Sequence, residues 1–160
     1  MSGAPGLFGK LPAHGDFVRR NLPRDFVAAW DAWLSEGILA LDGALVPGAW
    51  RFHLPAGACG AEPVAGVVMP SEDIVGRRFP ITLAATLPPG SFAPAEDWYV
   101  ALEAVPLDGP ADAVLSLLPP PMEGAGELIG LWRPGVAPMP FTAGYAALAT
   151  AEDQAPCPNP

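Results

Sequence analysis

Phe26, Val27, Trp30, Trp33 and Leu34 fall at offsets 0, 1, 4, 7 and 8 along the chain. That spacing puts five apolar side chains on one face of a helix. Asp25 stands at the front of the stripe, where the helix dipole favours an acid. Gly37 is expected to bend or end the helix, with Ile38–Leu45 continuing as a second helical piece until Pro47-Gly48 stops it. Ahead of the stripe, Leu7–Leu11 reads as a short strand ending at Pro12. Ala13-His14-Gly15 reads as a turn and Asp16–Arg20 as a second strand, so the chain opens with a hairpin.

Three further strands are predicted after the helix. Trp50–Leu54 alternates, with Trp50, Phe52 and Leu54 on one face and Arg51 and His53 on the other. Gly57–Gly60 is a turn. Val64–Met69 is an unbroken apolar run, as a strand buried on both faces requires. Pro70–Arg78 is a polar loop. Phe79–Leu87 is the third run, with Pro80 at its start, where a missing N–H is tolerated. Short connections between these strands favour antiparallel pairing, because a parallel pair needs a longer crossover.

The second half is less regular. Ala95–Val105 and Ala111–Leu118 are expected as helices, the latter ended by Pro119-Pro120-Pro121, with Met122–Gly126 as a loop. Leu128–Trp132 is expected as a late strand on the edge of the sheet, and Phe141–Ala149 as a last short helix. These elements predict an α+β fold: an antiparallel sheet of about five strands in ββαβββ order, with helices on each face. One domain is expected over residues 1–150, with a disordered tail at 151–160.

Composition adjusts this picture. Gly (18) and Pro (22) make up a quarter of the 160 residues, enough to suggest low complexity. However, 51% of residues are hydrophobic, 16% are charged and the mean hydropathy is +0.29, the reverse of a disordered chain. The fold is therefore ordered and rich in turns, and so many prolines exclude a long helical bundle.

A net charge of −9 and a pI near 4.4 argue against a nucleic-acid partner, which needs a basic face. The charge is uneven. Residues 1–78 hold seven Lys/Arg and eight acids, whereas 79–160 hold Arg133 alone against nine acids. An acidic second half is either a solvated face or a surface for basic partners.

Two cysteines, Cys59 and Cys157, are too few for a disulfide framework or a four-cysteine metal site. The opening carries no charged leader followed by an apolar segment, and no run of 18 apolar residues exists. A cytoplasmic location with reduced thiols and no membrane insertion is expected.

Candidate chemistry is sparse. His14 and Asp16 near the first turn are the one conceivable base and orienter for a small hydrolase, but no Gly-x-Ser-x-Gly accompanies them. The alternative is that Asp16 caps a turn and Gly15 supplies its geometry. His14, His53, Cys59 and Cys157 lack metal-site spacing, and Gly9-Lys10 lacks the rest of a P-loop. Arg19, Arg20 and Arg24 after Phe17, and Arg77-Arg78 before Phe79, are the only concentrated positive charges. They suit carboxylate or phosphate recognition, or else a solvated edge paired internally with Asp16, Asp25 or Asp73. Trp30 and Trp33, at helical spacing, are expected in the core.

The opening matches a recurring pattern, Gly-aromatic-aromatic-Gly-Lys-Leu-Pro-x-x-Gly-Asp-Phe, from Gly6 through Lys10 to Phe17, with Leu7 in place of an aromatic. Leu22-Pro23, Phe26-Val27, Trp30-Asp31, Trp33-Leu34, Trp50-Arg51-Phe52, the run from Gly66 to Ser71 and Asp73-x-x-Gly76-Arg77-x-Phe79-Pro80 continue it in order. Over about residues 6–87 the chain resembles the TagF (ImpM) family of type VI secretion-associated proteins. The resemblance implies a cytosolic, non-enzymatic accessory protein of a Gram-negative bacterium. It would be a post-translational repressor of apparatus assembly that binds the forkhead-associated scaffold protein, Fha, and needs no cofactor. The fused phosphatase domain of some relatives is absent from this sequence, so no phosphatase activity carries over. The ββαβββ order is also similar to longin-type binding modules. The expected partner-binding surface comprises Lys10, His14, Asp16, Arg19, Arg20, Arg77 and Arg78. A structural subunit of the machine is the alternative, and the His14/Asp16 hydrolase a further one.

Overall fold

A computed structural model describes residues 4–151. The opening hairpin is β1 (Gly6–Gly9) and β2 (Val18–Arg20), followed by helix α1 (Arg24–Ala40). Strands β3 (Trp50–Leu54), β4 (Val64–Met69) and β5 (Ile81–Thr86) come next, then helices α2 (Glu96–Glu103) and α3 (Ala111–Ser116). A second hairpin, β6 (Gly130–Arg133) and β7 (Val136–Met139), precedes two single 3₁₀ turns and the short helix α4 (Leu148–Ala151). All ladders are antiparallel, in the order β2-β1-β5-β4-β3-β6-β7.

The sheet is covered on both faces. On one, Phe26, Trp30 and Leu34 of α1 pack over Trp50, Phe52, Val68 and Ala84. The Trp30 ring lies tilted against the Phe52 ring with centroids 4.5 Å apart, and its Nε1 donates to Thr82 Oγ1 at 2.7 Å. On the other, Trp98, Tyr99 and Leu102 of α2 and Val114 of α3 cover Leu7, Ala65, Val67 and Leu83. Arg51 follows the alternation predicted for β3, but it is buried. Its Nε and Nη2 donate to the two carboxylate oxygens of Glu103 at 2.9 and 3.0 Å. That bidentate pair raises the guanidinium pKa against the opposing cost of burial.

Several expectations are corrected. The sheet has seven strands, not about five. Leu128–Trp132 is not an edge: Gly130–Arg133 lies between β3 and β7, and Pro134-Gly135 turns the chain back into the true edge strand. Gly37 neither bends nor ends α1. It is a close-approach site, where the Tyr145 side chain packs directly on the helix. The second helical piece at Ile38–Leu45 does not form. Asp42 and Gly43 adopt positive φ, and the Gly43 N–H closes the helix on the Ile38 carbonyl. Phe141–Ala149 is not one helix but 3₁₀ turns over Phe141–Ala143 and Tyr145–Ala147 leading into α4. Of the expected tail, Ala151 closes α4 and is buried, and 152–160 lie outside the described residues.

Gly37 decides between two opposing effects. Helix propensity alone favours alanine by about 1 kcal/mol. Yet a Cβ there would sit 2.5 Å from Tyr145 Cβ and 2.9 Å from the Ala146 nitrogen, and overpacking of this kind costs about 1–3 kcal/mol. Gly37→Ala is therefore expected to lower the thermal midpoint rather than raise it, and Gly37→Val to lower it further. An increase in midpoint with alanine, measured by circular dichroism, would show that Tyr145 does not seat on this glycine.

Candidate functional site

The loop after β1, Lys10–Phe17, and the loop between β4 and β5, Pro70–Pro80, meet at one end of the sheet. Their junction is built on Asp73, whose side chain is wholly buried. Oδ1 accepts the N–H groups of Val75 (3.1 Å) and Arg77 (2.9 Å), and Oδ2 accepts Arg77 Nε (2.8 Å), with Lys10 Nζ at 3.5 Å. The local sequence explains the turn. An aspartate bonds readily to the backbone ahead of it, and Gly76 supplies the φ of +85° that the reversal needs.

The two loops are tied together at three further points. The Arg77 guanidinium donates to the Gly15 carbonyl, the Ile74 N–H to the His14 carbonyl and Ser71 Oγ to the Lys10 carbonyl. Burial pushes the Asp73 pKa up, but hydrogen bonds from the Arg77 backbone and side chain and from Val75 outweigh it. They hold the carboxyl below its usual value.

This clamp presents apolar side chains to water. Phe17 is 47% exposed, Ile74 65% and Val75 69%. The Phe17 ring meets Phe79 edge-on at 4.9 Å and stacks on Phe8 at 6.1 Å, while Lys10 Nζ lies 5.0 Å from its centroid.

The expected site residues divide. Lys10, His14, Asp16, Arg77 and Arg78 are brought together on the two loops, with Arg19 and Arg20 on the adjoining β2. Lys10 is buried rather than presented, and Arg77 is a brace of the clamp through Asp73. Arg20 turns towards α3 and pairs with Asp112 at 2.8 Å, not with Asp16 or Asp25. Arg19 and Arg78 are exposed and form no ion pair among the described residues.

His14 and Asp16 are not joined. His14 Nε2 accepts the Ala111 N–H at 2.8 Å, so this nitrogen holds the start of α3 and is not free to act as a base. Asp16 Oδ1 accepts the Phe17 N–H at 2.7 Å, the turn-capping role expected as its alternative. The adjacent opening of about 320 Å³ is lined by Pro12, Pro70, Ser71, Glu72, Arg78 and Leu107, and by neither of the pair. No group of three or more potential metal ligands occurs among the described residues. Cys59 is buried, and burial with Asp25 nearby pushes its thiol up to about 12, which makes it inert at neutral pH.

Sequence reasoning missed Ile74, Val75 and the convergence of both loops on Asp73, although its alternative of internal pairing with Asp73 holds for Arg77. The signals were the Asp-x-x-Gly-Arg spacing and two adjacent β-branched residues inside an otherwise polar loop.

A family model described as TagF N-terminal domain, type VI secretion system-associated, matches residues 6–114. Among solved structures, that of PA0076 from Pseudomonas aeruginosa PAO1 is similar, with 33% identity and a TM-score of 0.64 over 94% of this chain and 78% of that one. No curated protein matches.

Asp73 makes acid sensitivity a test of the clamp. Its folded pKa lies below the unfolded value of about 3.9, so its stabilisation is present above that pH and is lost as pH falls through the folded value. Asp73→Asn is expected to lower the denaturation midpoint at pH 7. The gap between variant and wild type should narrow steadily below about pH 4. A gap that stayed constant from pH 7 to pH 3 would mean that the charge on Asp73 does not hold the loops.

Proposed function

Because the chain belongs to the TagF N-terminal domain family of type VI secretion-associated proteins, we propose that it is a non-enzymatic accessory protein that represses apparatus assembly by binding a protein partner. The forkhead-associated scaffold protein Fha is the proposed partner, and the cytoplasm the proposed compartment. The observation that carries the reading is the exposed tip of Phe17, Ile74 and Val75 held by the Asp73 clamp. Apolar side chains on a pre-ordered loop lose little conformational freedom on docking. Exposed apolar surface on such a loop is a cost with no counterpart in the core. Arg19 and Arg78 flank this end of the sheet and suit carboxylates on the partner.

The seven expected residues then take different parts. Lys10, Asp16 and Arg77 shape the loops, and His14 links them to α3. Arg19 and Arg78, and more weakly Arg20, face the partner. The order ββαβββ followed by two helices supports the longin-like reading of the fold, and one continuous sheet supports a single domain over 1–150. No described helix is long and apolar enough to cross a membrane.

The test is a binding assay between the purified chain and Fha. Ile74→Asp with Val75→Asp should weaken binding by about tenfold or more, as loss of a central apolar anchor does. Arg19→Ala with Arg78→Ala should weaken it less and reduce its salt dependence. Failure of the wild type to bind would remove Fha as partner. Full binding by the Ile74/Val75 variant would remove the surface. Stoichiometric co-purification with sheath or baseplate would replace the repressor with a structural subunit.

A further inference from the structure

At the opposite ends of β4 and β5 from the clamp, the loop after β5 folds across the approach to β6 and leaves two adjoining cavities. One, of about 240 Å³, is lined by His53, Pro55, Pro63, Phe92, Glu127 and Ile129. The other, of about 320 Å³, has Met122 and Glu123 on its far wall. Gly90, Ser91 and Phe92 line both, so they are two lobes either side of one short segment. The first is below, and the second only at the lower edge of, the range of about 300 to 1,000 Å³ in which small-molecule sites enclose most of their ligand. Phe92, Met122 and Ile129 stand exposed around them.

We propose that this cleft takes a short extended segment of a partner protein that places an apolar side chain in each lobe and a Lys or Arg beside them. Three observations select that chemistry. Two lobes divided by one loop suit successive side chains of a chain better than one compact molecule. The polar rim is acidic: Glu123 and Glu127 flank the lobes, and residues 79–132 contain seven acids and no Lys or Arg. An anionic ligand is repelled there and a cationic one attracted.

The third observation is His53, which is only 4% exposed. Its Nδ1 lies 2.7 Å from the Leu128 carbonyl oxygen, which can only accept, so Nδ1 carries a proton and, in the neutral ring, Nε2 is an acceptor. Nε2 is buried without a hydrogen-bond partner. Such an atom is costly when left unmet, and an N–H from a peptide or a basic side chain reaching it would meet it.

This surface lies on different loops from the clamp, so the two can fail independently. The probe is the tetrapeptide acetyl-Leu-Arg-Phe-Arg-amide, added to the ¹⁵N-labelled full chain and followed by amide shifts. Saturable shifts are expected at His53, Ser91, Phe92, Glu127 and Ile129, with the clamp loops unmoved. Phe92→Ala should weaken the interaction, and Glu123→Lys with Glu127→Lys should weaken it about fivefold or more, as reversal of facing charge does. Those two glutamates are exposed, so the fold is retained. The acidic counterpart acetyl-Leu-Glu-Phe-Glu-amide should bind correspondingly less.

Absence of saturable shifts in the cleft would overturn the proposal. Equal binding of both peptides, or an unchanged affinity after charge reversal, would overturn the basic character of the occupant. Phenethylammonium binding at least as tightly as the basic peptide would make the cleft a small-amine site and overturn the peptide reading.

Discussion

β4 and β5 lie at the middle of the sheet with every residue of β5 and all but one of β4 out of water. A sheet buried on both faces needs apolar cover on both, and the chain supplies it with elements drawn from either end of its length. α1 is inserted between β2 and β3 to cover one face, whereas α2 and α3 follow β5 to cover the other. The one polar side chain that β5 buries completely, Thr82, sets where α1 sits, because its hydroxyl must meet Trp30 Nε1. The bidentate Arg51–Glu103 pair does the same for α2. Its net contribution to stability is small, since desolvating both ions offsets their attraction, but removing either partner would strand a charge beneath α2. Each helix is thus held in register by one polar contact set in an apolar layer.

Covering both faces leaves the loops at the strand ends as the exposed parts of the sheet, and the clamp end shows how such loops are tied together without a core. Asp73 is the converging point for a backbone turn, a guanidinium and an ammonium. Since β1 and β5 are adjacent and antiparallel, the loop leaving β1 and the loop entering β5 are neighbours, and the contacts from Arg77 to Gly15 and from Ile74 to His14 follow from that adjacency. His14 extends the network to α3 through Ala111. A histidine two residues from an aspartate looked like acid–base chemistry, whereas His14 Nε2 and Asp16 Oδ1 each accept a backbone N–H.

What was legible followed from strong periodicity. The Phe26–Leu34 stripe, the alternation of β3 and the apolar run of β4 each have one physical interpretation, and the elements formed where expected. β7 was not legible because Val136–Met139 is four residues containing a proline, with little apolar pattern. Only the Pro134-Gly135 turn marked it. Gly37 misled because propensity describes an isolated helix, whereas the relevant neighbour, Tyr145, is over a hundred residues away. At the candidate site, pairing with Asp73 was legible as one alternative for Arg77, but nothing in the spacing showed that the same buried carboxylate also draws in Lys10. The surface that remains is less basic and more apolar than its composition suggested.

The distribution of charge acquires a structural meaning from this. The seven Lys/Arg of residues 1–78 include Arg19, Arg77 and Arg78 at the end where β1 and β4 exit, while the Glu-bordered cleft lies where β5 exits and β6 enters. β5 runs between them, from Ile81 at the clamp to Thr86 at the cleft. Acidic repulsion across a small protein is weakly screened only within about 8–10 Å, so charges at the two strand ends act largely as separate fields. One net charge of −9 therefore contains two local chemistries: a rim of mixed charge, with Arg19 and Arg78 beside Asp16 and Glu72, around an apolar tip, and an acidic rim around an apolar hollow. If both proposals hold, the tip would enter one partner and the hollow would receive a segment of another, at opposite ends of β5.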